Sequence, residues 1–577
     1  MKNQIWSSVV TIVLVEGKNL LPMDANGLSD PYVKFRLSNE KYKSKVAFKT
    51  LNPNWLEQFD LHMFDDQSKQ LEMTIWDKDI RSKDDFMGRC TIDLAQLPRE
   101  RTHAIWQDLE DGAGSIHLLL TISGTVGTET ISDLANYEPL PAERQAIMRR
   151  YAIHKAFKRM RDVGHLTVKV FKARDLAAAD LGGKSDPFCV LELVNARLQT
   201  HTEYKTLTPE WNKIFTFNVK DIHSVLEVTV YDEDRNKTVE FLGKVAIPLL
   251  QINNGERKWY ALKDKKMTRR VKGEILLEMD FVFNPVKASV RTFNPKEEKY
   301  MSQEPKFKKK VFMTNVARVR QFVLTFLHAG RFIQSCFQWE SVPRSLTAFL
   351  VFVVIVYNFE LYMLPVALLL VFLRNYLVLP SVKEQQRYLE GQMVPQTAGD
   401  DDESDDDKDK ALSFLDFSYL DMFDFVVYDT VELIEMVTVG CNPEKRILLE
   451  EERKSFKERL QAVQDVCLTV QNALGYIASH GESVKNTFNF TSPFLSYLLI
   501  CVLCVGTVVL YFIPLRWIIM AWGINKFTKQ LRSPNAIPNN ELLDYLSRVP
   551  DDQEVMMYAQ LTPEPHSPLL AKKKKSQ

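Results

Sequence analysis

Residues 24–33 read DANGLSDPYV and residues 76–88 read WDKDIRSKDDFMG; residues 180–190 read DLGGKSDPFCV and residues 231–243 read YDEDRNKTVEFLG. The second pair repeats the first. Asp24, Asp30 and Trp55 recur 156 positions later as Asp180, Asp186 and Trp211, while Asp77, Asp79 and Gly88 recur 155 positions later as Asp232, Asp234 and Gly243. One domain has been duplicated, with a one-residue length change between its halves.

The flanking segments explain why the acids converge. TIVLVEGKNL and TVKVFKARDL alternate apolar with polar residues and are rich in β-branched side chains, as are LEMTIWDKD and LEVTVYDED. Each therefore predicts a half-buried strand that delivers its aspartates to a loop at one end of a sheet. Single aspartates are ordinary turn residues, bonding nearby backbone N–H groups. A set of five repeated at fixed spacing is different, because like charges at one rim repel unless a hard cation offsets them. Ca²⁺ fits such a rim, since it accepts six to eight oxygens in flexible geometry where Mg²⁺ demands a tighter octahedron. The expected ligands are Asp24, Asp30, Asp77, Asp79 and Asp85 in the first repeat, and Asp180, Asp186, Asp232, Asp234 and Glu240 in the second.

The repeats resemble C2 domains, through Asp, six residues to Asp-Pro-[Tyr/Phe], then Asp-x-Asp, six residues to an acid, and a glycine three further on. Asn52-Pro53-Asn54-Trp55 and Thr208-Pro209-Glu210-Trp211 fit the same pattern. The resemblance implies two eight-stranded antiparallel sandwiches, an all-β fold that binds Ca²⁺ between loops at one end. Glu240 stands where the pattern has Asp, which makes the second site the weaker expectation. Two such domains followed by paired apolar segments resemble the multiple C2 domain and transmembrane region proteins. That family usually carries three C2 domains, so the chain reads as a shorter isoform or as lacking an N-terminal extension.

The domain layout expected is 1–125 (C2), 126–160 (basic helical linker), 161–284 (C2), 285–345 (basic juxtamembrane segment), 346–379 (membrane hairpin or span), 380–492 (acidic and helical connection), 493–523 (membrane hairpin or span) and 524–577 (cytosolic tail). As one helix, 346–379 would be about 51 Å long, against a hydrocarbon core of roughly 30 Å, so it must tilt, break or turn. Asn358, Glu360 and Pro365 mark where it breaks; Gly506, Pro514 and Arg516 mark the second. Short hairpins of this kind resemble those of reticulon-like proteins, which curve the endoplasmic reticulum. Residues 442–482 read as a charged amphipathic helix, suited to self-association or to the bilayer surface, and the acidic run Asp400–Asp409 as a spacer.

Calcium at the rims would turn repulsion from an anionic leaflet into attraction. Lys41, Lys43, Lys45 and Lys49 offer a further contact for anionic phospholipid, competing with the plain reading of a solvated strand face, and Ile80 and Leu181 offer modest apolar insertion. Equal numbers of basic and acidic residues, 74 each, give no reason to expect a nucleic-acid partner. Seven dispersed cysteines suit a reducing compartment, and no secretory signal is evident. Lys574 and Lys575 stand as in a dilysine retrieval signal, which implies coat machinery as a partner and an endoplasmic reticulum membrane with cytosolic C2 domains; a vesicle or endosomal membrane is the alternative. Asn489-Phe490-Thr491 is a glycosylation sequon, luminal only if each apolar segment crosses once. Gly182-Gly183-Lys184-Ser185 imitates a phosphate loop but has Ala178 in place of its first glycine. No nucleophile and base stand out, so the chain is read as a non-enzyme.

Overall fold

A computed structural model describes residues 7–24, 26–64, 67–79, 83–123, 141–156, 162–179, 183–233, 239–301, 306–378, 443–532 and 540–561. Eight strands build the first repeat: β1 (Ser8–Lys18), β2 (Pro31–Leu37), β3 (Glu40–Lys43), β4 (Asn54–Met63), β5 (Gln70–Asp77), β6 (Asp85–Asp93), β7 (Thr102–Asp108) and β8 (Ser115–Ser123). They pair antiparallel in two four-stranded sheets, β4-β1-β8-β7 and β3-β2-β5-β6. The period-2 pattern does what it predicts: Val10, Ile12 and Leu14 of β1 join Leu71, Met73 and Ile75 of β5 and Leu118 and Leu120 of β8 in one dry core.

The second repeat follows with β9 (Gly164–Arg174), β10 (Pro187–Leu193), β11 (Ala196–Gln199), β12 (Glu210–Val219), β13 (Val225–Glu233), β14 (Val239–Pro248), β15 (Arg257–Lys263) and β16 (Arg270–Phe283). Here the pairing is continuous, β11-β10-β13-β14-β15-β16-β9-β12, because Lys244 of β14 pairs with Lys263 of β15. Matching details reveal the duplication. Trp55 Nε1 donates to the Pro31 carbonyl and Trp211 Nε1 to that of Pro187, each at 3.3 Å. A Cβ on Gly88 would lie 2.9 Å from Ala113, and one on Gly243 2.7 Å from Leu262, so both positions exclude a side chain.

Of the linker, the described part is a short helix, α1 (Pro141–Arg150), followed by a single 3-10 turn at Ile153–Lys155. It docks on the second sandwich, where Asn284 Nδ2 donates to the Ala152 carbonyl at 2.8 Å. After β16 come α2 (Pro285–Arg291), α3 (Lys309–Phe337), α4 (Val342–Tyr357), α5 (Met363–Val378), α6 (Pro443–Phe488), α7 (Pro493–Phe512), α8 (Leu515–Arg532), α9 (Glu541–Leu546) and α10 (Asp552–Tyr558).

The first apolar region is broken between Tyr357 and Met363, at Asn358 and Glu360, and Pro365 sits in the first turn of α5, where a missing N–H costs nothing. The second breaks at Pro514, between α7 and α8. Among the described residues α7 alone is long and apolar enough to cross a membrane as one helix; α3 and α4 pass together with a 98° bend, and α5 is shorter. The segment read as basic and juxtamembrane thus contains a 29-residue helix, α3, whose second half exposes Leu324, Phe326, Phe332 and Phe337.

The described residues form two compact units. One, residues 306–359 and 443–482, packs α3 along α6: Arg318 grips Glu482 bidentately at 2.8 and 2.7 Å, and Asn315 Nδ2 donates to the Gln471 carbonyl at 3.2 Å. The other holds both sandwiches, α5 and α7–α10. Within it α5 runs antiparallel to α7, since Tyr362 meets Tyr511 at one end and Phe372 meets Phe488 at the other.

Of the expected cytosolic tail, residues 524–532 continue α8 and residues 540–561 form a docked segment. Asn540 caps α9, and Asp551 with Glu554 forms a capping box on α10, a signal legible in the sequence as D-x-x-E. Between them Arg548 is wholly buried against Asp221 of the β12–β13 turn, Nε to Oδ2 at 2.8 Å. His223, in the same turn, packs on Phe494 of α7 and contacts Thr292. Burial depresses its imidazole to about 4, Asp221 pulling it back up while Arg548 and Lys296 push it down. A neutral histidine stabilises the fold above its unfolded value of about 6.5, and this is lost as pH falls towards 4 because the unfolded chain then binds the extra proton. The contribution of Asp221, held below the ordinary carboxylate value, is lost further down. The melting temperature of the detergent-solubilised chain should therefore fall between pH 6.5 and 4 by the equivalent of up to about 3 kcal/mol, and His223→Gln should flatten that slope.

Candidate calcium rim

The β2–β5 register pairs Pro31 with Asp77, and the β5–β6 register pairs Asp77 with Asp85, so the acids assemble at one end of the sandwich. Asp77 is at the centre, with 3% exposure. Its Oδ1 accepts the Asp30 N–H at 2.6 Å, and Asp30 Oδ1 accepts the Lys49 N–H at 2.6 Å. Among the described residues, Oδ2 of each accepts no hydrogen bond, which leaves an oxygen on both for a cation. Ser29 pins the loop from within, accepting from the Met23 N–H and donating to the Leu21 carbonyl, both at 2.9 Å.

Burial raises the Asp77 carboxyl above its ordinary value, against the Asp30 N–H bond, and the nearby charges of Asp24, Asp30 and Asp79 raise it further. Negative charge is thus concentrated at a point that water solvates poorly. Outside that cluster Asp84 accepts from Tyr32 Oη and Lys78 Nζ, both at 2.6 Å, and is held down at about 2 by those bonds. Asp85 is exposed at the start of β6. Among the described residues, no three His, Cys, Asp or Glu side chains stand close enough to hold a metal ion as placed. The rim gathers Asp24, Asp30, Asp77 and Asp79 within Coulomb range of one another.

The second rim repeats this scaffold atom for atom where it is described. Asp186 N–H donates to Asp232 Oδ1, Asp186 Oδ1 accepts the Lys205 N–H at 2.6 Å, and Ser185 pins its loop between Ala179 and Ala177. Glu240 lies opposite Asp232 in register, as Asp85 lies opposite Asp77, so the longer acid occupies the equivalent place. Ile80, Asp180, Leu181, Asp234, Lys574 and Lys575 lie outside the described residues.

The lysine cluster divides. Lys41 and Lys43 lie exposed on β3, with Lys45 just beyond, and Lys43 Nζ sits 3.9 Å over the Tyr32 ring. Lys49 is separate, its backbone bound to Asp30 at the rim. Two rim aromatics were missed by the reading of the sequence: Phe86, beside Asp85, is 49% exposed, and Phe48, beside Lys49, is 69% exposed. Their signal was adjacency to a ligand position, which a search for aliphatic loop tips passes over.

Two β-sandwiches with acidic rims, joined in one chain to apolar helices, define a tandem C2 membrane protein. The C2 domain family model matches residues 8–109 and 164–262, and the model described as Plant phosphoribosyltransferase C-terminal matches residues 450–557. The chain is 50% identical to Multiple C2 and transmembrane domain-containing protein 1 of Mus musculus, over 99% of this chain and 56% of the relative. It is 49% identical to the Multiple C2 and transmembrane domain-containing protein of Drosophila melanogaster, over 98% and 56%. It belongs to the multiple C2 domain and transmembrane region protein family, and spans about half the length of these curated relatives. A solved structure, the calcium-bound pair of C2 domains from Extended-Synaptotagmin 2, is similar at 23% identity over 49% of this chain and 98% of that one, with a TM-score of 0.24.

Proposed function

We propose that the chain is a calcium-responsive, non-enzymatic membrane protein of the endoplasmic reticulum, whose cytosolic C2 domains reach an apposed anionic bilayer when calcium rises. The observation that carries this reading is the buried Asp77 carboxyl, raised by burial and by the neighbouring charges of Asp24, Asp30 and Asp79. The all-oxygen donor set fits Ca²⁺ and no softer metal. Asp30 and Asp77 would hold the ion through Oδ2, with Asp24, Asp79 and Asp85 closing on it; Asp186, Asp232 and Glu240 would do so in the second domain, with Asp180 and Asp234. Bound calcium supplies positive charge and open coordination positions for phospholipid oxygens. Phe48 and Phe86 then add apolar contact, and Lys41, Lys43 and Lys45 add about 1 kcal/mol each near an anionic surface. Tail lysines Lys574 and Lys575 would engage coat machinery and keep the protein in the endoplasmic reticulum.

The full chain, reconstituted in phosphatidylcholine vesicles and mixed with phosphatidylserine acceptor vesicles, should cluster them on calcium addition and release them on chelation, read by light scattering. Clustering that ignores calcium would sink the sensor reading and leave a constitutive tether.

A further inference from the structure

The end of the second sandwich opposite its acidic rim carries a binding site for the chain's own tail. β12 runs from Glu210 on the rim side to Val219, and the turn after it holds Asp221 and His223. At about 3.3 Å per residue, those residues lie roughly 30 Å from the acids.

Three sets of contacts hold the tail, from that end up along β15. The first is Arg548, buried and bonded on every side: Nε to Asp221 Oδ2 at 2.8 Å, Nη1 to the carbonyls of Thr292 at 3.0 Å and Asp544 at 2.7 Å, Nη2 to that of Asn294 at 2.8 Å. A guanidinium removed from water is stable only when its donors are used in this way. The second lies along β15. Lys263 Nζ, buried, donates to the Met557 carbonyl at 2.9 Å and the Ala559 carbonyl at 2.5 Å, and Lys258 Nζ donates to Gln560 Oε1 at 2.5 Å. The third ties the same tail to the foot of α7: Tyr545 Oη donates to the Leu495 carbonyl at 3.0 Å, and Asn486 Nδ2 to that of Pro550 at 3.0 Å. Phe494, the second residue of α7, packs directly on the core of the second sandwich.

The site is particular to the second domain. In register, Trp106 opposite His117 matches Trp259 opposite Leu276, so Lys263 corresponds to Glu110 and Lys258 to Ile105. A carboxylate at that position would repel the two carbonyls that Lys263 binds.

We propose that residues 541–560 are an orienting clamp, which grips the second C2 domain from the end opposite its rim up along β15 and fixes that rim away from the bilayer that α7 enters. The partner so addressed is an anionic phospholipid surface opposite the anchor. The direction rests on the membrane-anchored reading above, whereas the clamp itself does not. The start of α7 and the segment beyond α8 are held together on the second C2 domain, because residues 483–495 and 540–560 meet in the same contacts.

The test uses the full chain in phosphatidylcholine vesicles. Lys258→Cys with Gln560→Cys should give an intramolecular cross-link with a short bismaleimide that neither single variant gives. Adding Arg548→Gln, or independently Lys263→Asp, should lower its yield at least about tenfold. No cross-link in a chain whose sandwiches still melt cooperatively overturns the clamp. A fluorophore on Lys184→Cys, beside the second rim, reads direction. With calcium it should be quenched by spin-labelled lipid in phosphatidylserine acceptor vesicles and not by the same lipid in the anchoring bilayer. Quenching by the anchoring bilayer overturns the orientation. A cross-link with no calcium-dependent quenching from either bilayer upholds the clamp while the calcium-sensor reading fails.

Discussion

Replacing Asp77 and Asp79 together by asparagine is expected to weaken calcium-dependent clustering through the first C2 domain by about a hundredfold, given how steeply calcium affinity depends on the count of ligand charges. The substitution is nearly isosteric. The carboxamide oxygen introduced by Asp77→Asn can still accept the Asp30 N–H, so the turn that Asp77 holds at 2.6 Å survives, and what disappears is two of the five charges and their ligand oxygens. The comparison should be made in a chain whose second rim is already neutralised by Asp232→Asn and Asp234→Asn, using phosphatidylserine acceptor vesicles and titrating calcium. Unchanged clustering would place calcium's action elsewhere than the acidic rim. The converse chain, with only the first rim neutralised, measures what Glu240 does in place of aspartate. Its register opposite Asp232 leads us to expect retained, weaker binding.

Trp211→Ala is expected to destabilise the second sandwich by about 3–5 kcal/mol, the range for emptying a large buried aromatic site. Trp211 is fully buried, and its ring fills the core between the sheets. Its Nε1 also donates to the carbonyl of Pro187, one residue after Asp186, so the change loosens the rim as well as the core. Thermal melting should show the loss as a selective fall in the second domain's transition. Trp55→Ala should do the same to the first domain, somewhat less severely, since Trp55 retains 7% exposure. A fall shared equally by both transitions from either substitution would mean that the two sandwiches unfold as one body.

Much of the site was legible because its causes are local. Strand alternation fixes which residues face the core, and an aspartate at the end of such a strand must lie at the rim. The lysines show the limit of that logic. Four of them within nine residues read as one patch, yet the chain turns after β3, and Lys49 is carried to Asp30 by its own backbone N–H while Lys41 and Lys43 remain on the strand face. Side chains that follow a turn go where its hydrogen bonds take them, and those partners lie elsewhere in the sequence.

The sequence by itself determined the duplicated all-β sandwich, the position of both acidic rims, and the breaks at Asn358 and Pro514, because strand period, ligand spacing and helix interruption act over a few residues. Only the tertiary structure decided the fate of the tail. Arg548 sits in a polar stretch that reads as solvated, and Asp221, 327 residues earlier, reads as a turn residue. Neither carries a local sign of burial. Each becomes buried only through the other, since a charge leaves water at tolerable cost only where an opposite charge and oriented carbonyls await it.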